Sequence, residues 1–415
     1  MVVTTVTSPP TLPEGFDLTD PDVNLVAVPH GELAALRRTA PVRWVEQTPD
    51  ARAGMNGGTG YWAVTKHADV SAVSKNSAVF SSWENGAIIR LPETATRDSV
   101  EMTRVVLINQ DAPEHTQTRK IISRGFTPRV ISALDDVMVE RARRIVRDAV
   151  AQGSGNFVEQ VASQLPLETI ADMLGVPAED RRMLFDWTNA MTGSDDPEFA
   201  GDPEAASTEV LLYSLGMAAE RKAEPRDDIV TKLLHADKDG RGLTDDEFGF
   251  FVIALAVAGN ETTRNAITHG MNAFFAHPEQ WDLWVRERPP TMVDEVIRWA
   301  TPVTSFQRTA LEDVELGGAQ IKAGHRVGLF YASANHDEDV FDDPFTFDIT
   351  RSPNPHVAFG GHGAHYCIGA NLARLEIKLI FDALADQAPG IASTGDPTRL
   401  RSGWINGIKD LPVRY

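Results

Sequence analysis

The most informative segment of this 415-residue chain reads Phe359-Gly-Gly-His-Gly-Ala-His-Tyr-Cys367-Ile-Gly-Ala-Asn-Leu-Ala-Arg374 and contains its single cysteine. Three glycines precede the cysteine, and their conformational freedom predicts a tight turn that can approach a ligand closely. Residues 371–381 follow with helical spacing, so Cys367 is predicted to lie just before the N-terminus of a helix. At such a position the helix dipole and the free backbone N–H groups favour a thiolate over a thiol.

Cys367 can be interpreted in three ways. As a thiolate it can ligate iron, where it donates electron density and favours cleavage of an O–O bond. Alternatively, it is a buried and inert cysteine, or a nucleophile that is paired with His362 or His365. The segment alone favours the interpretation of Cys367 as a metal ligand. The other motifs of the chain help to decide among the three interpretations.

The composition argues against several classes of protein. The formal net charge of -20 predicts a surface that repels phosphate backbones and anionic lipid, so nucleic acid and membrane surfaces are not expected partners. One cysteine allows no intramolecular disulfide and no four-cysteine iron–sulfur cluster. The longest uncharged apolar run, 248–259, is much shorter than the roughly 20 residues that a membrane span needs. We therefore expect a soluble, cytoplasmic protein without a transmembrane segment.

The periodicity along the chain predicts a mainly α-helical protein with small β-sheets. Residues 1–20 are expected to form a flexible segment and residues 21–415 a single domain. Helices are predicted at Ile131–Ala151, Glu159–Leu174, Asp180–Met191, Glu209–Ala223 and Asp227–Leu234. Strands are predicted at Pro41–Val45, Trp62–Thr65, Phe306–Ala310, Val314–Leu316, Arg326–Phe330 and in the C-terminal tail, the first two joined by a glycine-rich hairpin loop. Residues 342–369 are predicted to form a long irregular loop, of a kind that is usually functional or disordered.

A helix of about 30 residues is predicted to begin at Thr244. Thr244 and Glu247 can form a capping box, and no proline follows until Pro278. Such a helix would cross the whole molecule.

The middle of this long helix carries residues that do not favour helix stability. Gly259 costs stability in a helix interior, and Glu261 is a carboxylate at the end of an apolar run. Gly259 can provide a groove for a flat ligand or for dioxygen, while Thr262 offers a hydroxyl to bound oxygen and Glu261 a route for protons from solvent. The alternative is that Glu261 pairs with Arg264 and the threonines face solvent.

Three charged motifs complete the pattern. Glu295 and Arg298 lie three residues apart on one predicted helix face, and His115 and Arg119 lie one helical turn apart. Arg308 lies in a predicted strand. An arginine beside a histidine can clamp a carboxylate. Taken singly, each motif is most simply an exposed surface charge.

Together these elements resemble the cytochrome P-450 family over essentially the whole chain and in the family's order. The resemblance implies one mainly helical fold that buries haem b (iron protoporphyrin IX) between the long central helix and the helix after the cysteine. It implies Cys367 as the axial iron ligand and Glu295 with Arg298 as a structural pair. It implies that Glu261 and Thr262 are catalytic and deliver protons to dioxygen. Residues implied to contact the haem, the first four through its propionates, are His115, Arg119, Arg308, His365, Gly259 and Phe359.

One departure from the family pattern narrows the resemblance. The family usually places a phenylalanine seven residues before the cysteine, whereas Phe359 lies eight residues before Cys367. A subgroup of actinobacterial enzymes that act on sterols and methyl-branched lipids shares this extra residue. Similarity to bacterial steroid C26-monooxygenases extends over residues 80–86, 121–128, 256–264, 300–310 and 401–407.

This narrower resemblance implies oxidation of the terminal side-chain methyl (C26/C27) of cholesterol or cholest-4-en-3-one, continuing towards the aldehyde and acid. Electrons would come from NAD(P)H through a ferredoxin and its reductase. The alternative is ω-hydroxylation of methyl-branched fatty acids or other lipids. A sterol needs a deep apolar pocket, and the predicted substrate contacts are Ile88, Ile89, Val100, Val257, Val303, Phe306 and Trp404.

Overall fold

The computed structural model describes residues 15–193, 195–199, 202–226, 228–235 and 240–415. The predicted flexible segment therefore lies mostly outside the described residues. Within the described part the chain forms seventeen α-helices. They are α1 (Pro21–Val26), α2 (His30–Thr39), α3 (His67–Lys75), α4 (Arg97–Met102), α5 (Glu114–Ile122), α6 (Pro128–Ser132), α7 (Asp135–Gln152), α8 (Gln164–Leu174), α9 (Arg181–Thr192), α10 (Pro203–Ala223), α11 (Ile229–Leu234), α12 (Asp245–Leu255), α13 (Thr262–Ala276), α14 (Pro278–Glu287), α15 (Met292–Ala300), α16 (Tyr331–Ala334) and α17 (Ala370–Gln387).

Twelve short strands form small sheets in the described part of the chain. They are β1 (Val42–Glu46), β2 (Gly60–Val64), β3 (Phe80–Ser81), β4 (Ser154–Asn156), β5 (Ser305–Ala310), β6 (Val314–Leu316), β7 (Ala319–Ile321), β8 (Arg326–Phe330), β9 (Ala392–Ser393), β10 (Thr398–Arg399), β11 (Ile408–Asp410) and β12 (Pro412–Arg414). The largest sheet has the order β1-β2-β8-β5-β3, in which β2 pairs with β8 in parallel and the other pairs are antiparallel. The predicted hairpin is confirmed, because β1 pairs with β2 from Val42 opposite Val64 to Glu46 opposite Gly60.

The predicted mainly helical architecture is confirmed, but the predicted helix Ile131–Ala151 is divided between α6 and α7, and one other helix starts earlier than predicted. Helix α10 begins at Pro203 rather than Glu209. The Asp202 side chain accepts hydrogen bonds from the N–H groups of Glu204 and Ala205, and Pro203 occupies the first turn. Both features stabilise a helix start, and neither depends on the apolar periodicity that was used for the prediction.

The predicted long helix is confirmed as α12 and α13 joined by a π-helical segment, Ala256–Glu261. Both bonds of the capping box are present: the Thr244 N–H donates to Glu247 Oε2 at 2.8 Å, and the Glu247 N–H donates to Thr244 Oγ1 at 3.2 Å. A π-helical turn widens a helix locally and is frequent at functional sites. It coincides with the segment in which Gly259 and Glu261 weaken the α-helix.

The main apolar core surrounds α13 and is shared by α7, α14, α15 and α17. Phe274 and Phe381 meet edge to face with ring centroids 5.3 Å apart, and the buried Trp284 indole N–H donates to the Phe381 carbonyl oxygen at 3.0 Å. These contacts fix the helix after the cysteine against the central helix. No helix in the described ranges is long and apolar enough to cross a membrane.

The long loop before α17 has no regular secondary structure between Ala334 and Ala370, and all of its residues are described. The predicted irregular loop at 342–369 is therefore confirmed, and it positions the cysteine.

Candidate active site

The turn before the cysteine depends on glycine. Gly360 and Gly361 have φ angles of 90° and 72°, in the left-handed region that other residues rarely adopt. Gly363 is required for a different reason, since an ideal Cβ there would lie 1.6 Å from the Ser74 carbonyl oxygen of α3. The predicted tight turn is confirmed, but Gly363 allows the close approach of α3 rather than of a ligand.

Cys367 is held by its backbone, whose N–H donates to the Phe359 carbonyl oxygen at 3.0 Å. The Cys367 side chain is accessible to a small molecule, although protein surrounds it. The sulfur therefore faces a space inside the protein. Burial raises the pKa of the Cys367 thiol, and the Gly369 N–H and the guanidinium groups of Arg119 and Arg374 lower it less. A metal ion bound to the sulfur would stabilise the thiolate against the effect of burial.

Two imidazoles and two guanidinium groups converge beside the cysteine loop. The rings of His115 and His365 lie 4.3 Å apart. Burial lowers the pKa of His115, and burial together with the charges of Arg308 and Arg119 lowers the pKa of His365 to about 2. Both imidazoles are therefore neutral at pH 7.

Neither guanidinium group of this cluster is ion-paired with a carboxylate among the described residues. Arg308 is buried and donates only to its neighbour's carbonyl oxygen, that of Gln307, at 2.6 Å. Arg119 donates to the Tyr366 carbonyl oxygen at 2.6 Å, and His115 Nε2 is buried without a hydrogen-bond partner. A buried guanidinium without an anion is costly, so Arg308 and Arg119, with the two neutral imidazoles as possible hydrogen-bond donors, fit a bound group that carries carboxylates. The structure brings together all four residues that are predicted to contact the haem propionates.

Glu261 is fully buried and paired. It forms an ion pair with Arg264 and accepts from Asn265 Nδ2 at 2.7 Å, while Arg264 also donates to Asn189 Oδ1 at 3.0 Å. The alternative pairing of Glu261 with Arg264 is thus confirmed, although the pair lies in the interior rather than at the surface. Glu261 Oε2 has no hydrogen-bond partner, so one carboxylate oxygen is free to accept a further donor.

Thr262 and Gly259 lie on different faces of the central helix. The Thr262 hydroxyl donates to the Ala258 carbonyl oxygen at 2.6 Å, and Ala258 is exposed, so this face of the helix is open. Gly259 lies against α8, where an ideal Cβ would be 2.6 Å from Ile170 Cδ1. The missing side chain of Gly259 therefore allows helix packing, while Thr262 lies on the open face.

Glu295 and Arg298 form a buried bidentate pair with two bonds of 2.8 Å. Arg298 also donates to the carbonyl oxygens of Asn335 and Pro344, both at 2.9 Å. Glu295 accepts from the Arg351 Nε at 3.2 Å. The pair is fully buried and ties the long loop to α15, so it is not the exposed surface pair that the motif alone suggested.

Three of the predicted substrate contacts lie together. Phe306 on β5 stacks on Trp404, with ring centroids 6.2 Å apart, and Val303 pairs through its backbone with Ile405. All three side chains are half-buried. They form one apolar wall from two distant parts of the chain.

The other predicted substrate contacts are divided. Ile88 and Val100 line a cleft between the segment 85–109 and α10. Ile89 does not reach that cleft, because it is fully buried in the core beneath the large sheet, where Gly328 approaches its side chain. Val257 is half-buried on the π-helical segment.

Several residues of the site escaped the sequence analysis. Ser82 Oγ lies 3.2 Å from His365 Nε2, and the Ser82 N–H donates to Asp111 at 2.8 Å. Burial raises the pKa of Glu376 on α17 to about 8, while hydrogen bonds with Thr169 and Thr263 lower it less. The sequence does contain a signal for Glu376, because the apolar Leu372 and Ile380 lie one helical turn before and after it. A carboxylate at that position is expected to lie on a buried helix face. Ser82 gives no such signal.

Among the described residues no group of three or more His, Cys, Asp or Glu side chains could hold a metal ion. Cys367, beside Arg119 and Arg308, is a single candidate metal ligand, and a metal held by one side chain fits a prosthetic group that supplies the other ligands.

Comparison with known proteins agrees with this geometry. The sequence model of the family described as Cytochrome P-450 matches residues 290–384. The steroid C26-monooxygenase of Rhodococcus jostii is 60% identical over 99% of this chain and 87% of its own length. The methyl-branched lipid omega-hydroxylase of Mycobacterium bovis is 41% identical over 93% of this chain and 90% of its own. A solved cytochrome P-450 of Mycobacterium marinum, in complex with pseudoionone, is 36% identical with a TM-score of 0.89 and covers 99% of this chain and 100% of that one.

Proposed function

Because the chain belongs to the cytochrome P-450 family, we propose that it is a haem monooxygenase acting on the terminal side-chain methyl of cholesterol or cholest-4-en-3-one. The observation that carries the chemistry is a lone accessible cysteine sulfur beside four imidazole and guanidinium groups that lack a carboxylate. The similarity to steroid C26-monooxygenases supports the choice of substrate.

When bound, haem supplies an iron centre that activates dioxygen. Cys367 would hold the iron through its sulfur, and His115, Arg119, Arg308 and His365 would hold the propionates. The Phe359 carbonyl oxygen accepts from the Cys367 N–H and fixes the loop, and the Gly369 N–H stabilises negative charge on the sulfur. We propose that residues 21–415 carry out this function as one domain.

Proton delivery is assigned to the open face of the central helix. Thr262 presents a hydroxyl that donates to the Ala258 carbonyl oxygen and that would be able to hold or pass on a proton at Oγ1 if haem and dioxygen were bound. Glu261 is held by Arg264 and Asn265, with one free oxygen that can accept a proton or a water molecule. Both residues are proposed to move protons, Thr262 at Oγ1 and Glu261 at Oε2.

The overall reaction converts a terminal methyl, dioxygen, two electrons and two protons into a primary alcohol and water. Terminal methyl C–H bonds are stronger than the neighbouring methine C–H bond. Selectivity for the terminal methyl of the sterol side chain must therefore come from a narrow apolar passage that admits only that methyl to the reacting centre. The stacked Phe306 and Trp404 rings and Val303 are the proposed walls of this passage.

The two electrons are proposed to come from NAD(P)H through a separate ferredoxin and its reductase. The chain has one cysteine, so it cannot hold a four-cysteine iron–sulfur cluster of its own.

Titration of the purified haem-loaded protein with cholest-4-en-3-one tests the proposal. The sterol should displace the water on the iron and shift the haem spectrum to high spin. Turnover with a reconstituted ferredoxin system should then give the terminal alcohol, identified by mass spectrometry. A protein that binds no haem contradicts the family chemistry, whereas a shift with a methyl-branched fatty acid but no sterol favours the alternative ω-hydroxylase.

A further inference from the structure

A cleft of about 200 Å³ lies between the segment 85–109 and the N-terminal end of α10. Its apolar lining includes Ile88, Leu91 and Val100. Small-molecule pockets usually enclose several hundred Å³, so this cleft suits one end of a long molecule rather than the whole of it.

The cleft adjoins the apolar wall of the proposed active site. The Ile88 carbonyl oxygen accepts from Gln307 Nε2 at 2.8 Å, and the Ala87 carbonyl oxygen accepts from the Gln307 N–H at 2.7 Å. Gln307 lies on β5 directly between Phe306 and Arg308. One strand therefore connects the floor of the cleft to the stacked aromatic pair and to the cationic cluster.

Most polar groups of the cleft are already engaged. Asn109 Oδ1 accepts from the Ala87 N–H at 2.9 Å, and its Nδ2 donates to the Thr103 carbonyl oxygen at 3.0 Å. The hydroxyls of Ser99 and Thr103 each donate at 2.8 Å to carbonyl oxygens of their own helix. These groups have little capacity left for a ligand.

Glu204 is the exception. It is the one charged residue that lines the cleft, and its carboxylate has no ion-pair or hydrogen-bond partner among the described residues. Its helix runs antiparallel to α12, since Leu211 packs on Gly249 while Lys222, nearer the end of α10, pairs with Asp245 at the start of α12. The N-terminal end of α10, which carries Glu204, therefore points towards the π-helical segment.

We propose that Glu204 is a specificity residue that accepts a hydrogen bond from the 3-hydroxyl of a sterol whose side chain points inward. This inference rests on the proposed function, which places the terminal methyl at the reacting centre and so leaves the oxygenated ring at the mouth. A carboxylate only accepts hydrogen bonds. It can therefore bind the hydroxyl of cholesterol, whereas the ketone of cholest-4-en-3-one has no hydrogen to donate.

The test compares the two sterols in matched variants of the haem-loaded protein. Dissociation constants are obtained from the spin-state shift for the wild type, Glu204→Gln, Glu204→Ala and Glu209→Gln. Glu209 is an exposed carboxylate on the same helix that does not line the cleft, so its variant controls for net charge. Glu204 is exposed, and a hydrogen bond to its carboxylate should favour cholesterol roughly three- to tenfold in the wild type.

The decisive quantity is the ratio of the two dissociation constants. It should fall towards one in Glu204→Gln, because an amide can donate to the ketone as well as accept from the hydroxyl, and also in Glu204→Ala. It should stay at the wild-type value in Glu209→Gln. A ratio that is the same in all four proteins overturns the role of Glu204, while no spectral shift with either sterol in the wild type overturns the proposed function and the inference with it.

Discussion

Cys367 combines two opposing influences on its sulfur. Burial disfavours the thiolate, and the Gly369 N–H with two guanidinium groups favours it. A bound ferric iron would favour the thiolate over the thiol. The assignment of Cys367 as the iron ligand can therefore be tested by spectroscopy.

We expect Cys367→Ala and Cys367→His to abolish the red-shifted carbon monoxide band of a thiolate-ligated ferrous haem. The reason is that no other cysteine exists to replace the sulfur. The matched control is His362→Ala, which removes an exposed ring stacked on Tyr366 and should keep the band. Persistence of the band without Cys367 would refute the ligand, and alkylation-sensitive hydrolysis by a colourless protein would support the nucleophile instead.

Thr262→Ala is expected to uncouple reductant consumption from product formation. The hydroxyl on the open face of the helix is lost, protons reach bound oxygen less specifically, and hydrogen peroxide is released. Product formed per reductant should fall roughly tenfold or more, measured as the ratio of alcohol to consumed NAD(P)H. Thr262→Ser keeps the hydroxyl and should stay near the wild-type ratio, and equal coupling in Thr262→Ala would remove the residue from proton delivery.

The sequence predicted which charged side chains lie near each other better than it predicted what surrounds them. The pairing of Glu261 with Arg264 follows from their spacing, but its burial does not, because Asn189 comes from α9 and is distant in the chain. Likewise His115 and His365 are recognisable by motif, whereas Ser82 joins them only through tertiary packing. Contacts between distant segments leave no local signal.

The elements with strong periodicity or clear end signals were predicted closely. The long central helix begins and ends where its capping box and Pro278 indicate, and β6 and β8 have the predicted bounds. The two-residue strand β3 was missed, because so short a segment shows no alternation and owes its conformation to pairing with β5. The π-helical form of Ala256–Glu261 could not be predicted either, although the weakness of that segment was visible.

Glu295→Gln is expected to destabilise the fold by about 3–5 kcal/mol, because it leaves the fully buried Arg298 without its anion. The Glu295 carboxylate also accepts from Arg351 and Asn354 of the long loop, so the loss should extend to the cysteine region. The measurement is denaturant unfolding followed by circular dichroism. The control is Asp186→Asn in the exposed Arg182 pair, where the change should stay within about 0.5 kcal/mol. Similar losses in both variants would mean that burial does not decide the value of these pairs.

At the scale of the whole molecule, the fold contains several imidazoles kept neutral by burial. Burial lowers the pKa of His269 to about 3, that of His30 to about 4 and that of His336 well below its usual range. In the unfolded chain these groups titrate near pH 6.5. The unfolded state therefore binds more protons below pH 6.5, and stability falls as the pH is lowered.

His269 isolates this effect, because it lies on the central helix away from the predicted haem contacts and donates from Nε2 to the Asn406 carbonyl oxygen at 3.0 Å. A neutral folded imidazole makes stability fall by up to about 1.4 kcal/mol for each pH unit between 6.5 and its folded pKa. His269→Gln should lower stability at pH 7 through the altered packing, yet should reduce the slope of unfolding free energy against pH by up to that amount. Urea unfolding of the haem-loaded protein from pH 7 to pH 5 measures both quantities. His235→Gln, the same substitution at an exposed position, is the matched control variant. Identical slopes in the wild type and His269→Gln would show that His269 already binds its proton in the folded protein, and that the core tolerates a charge beside the central helix.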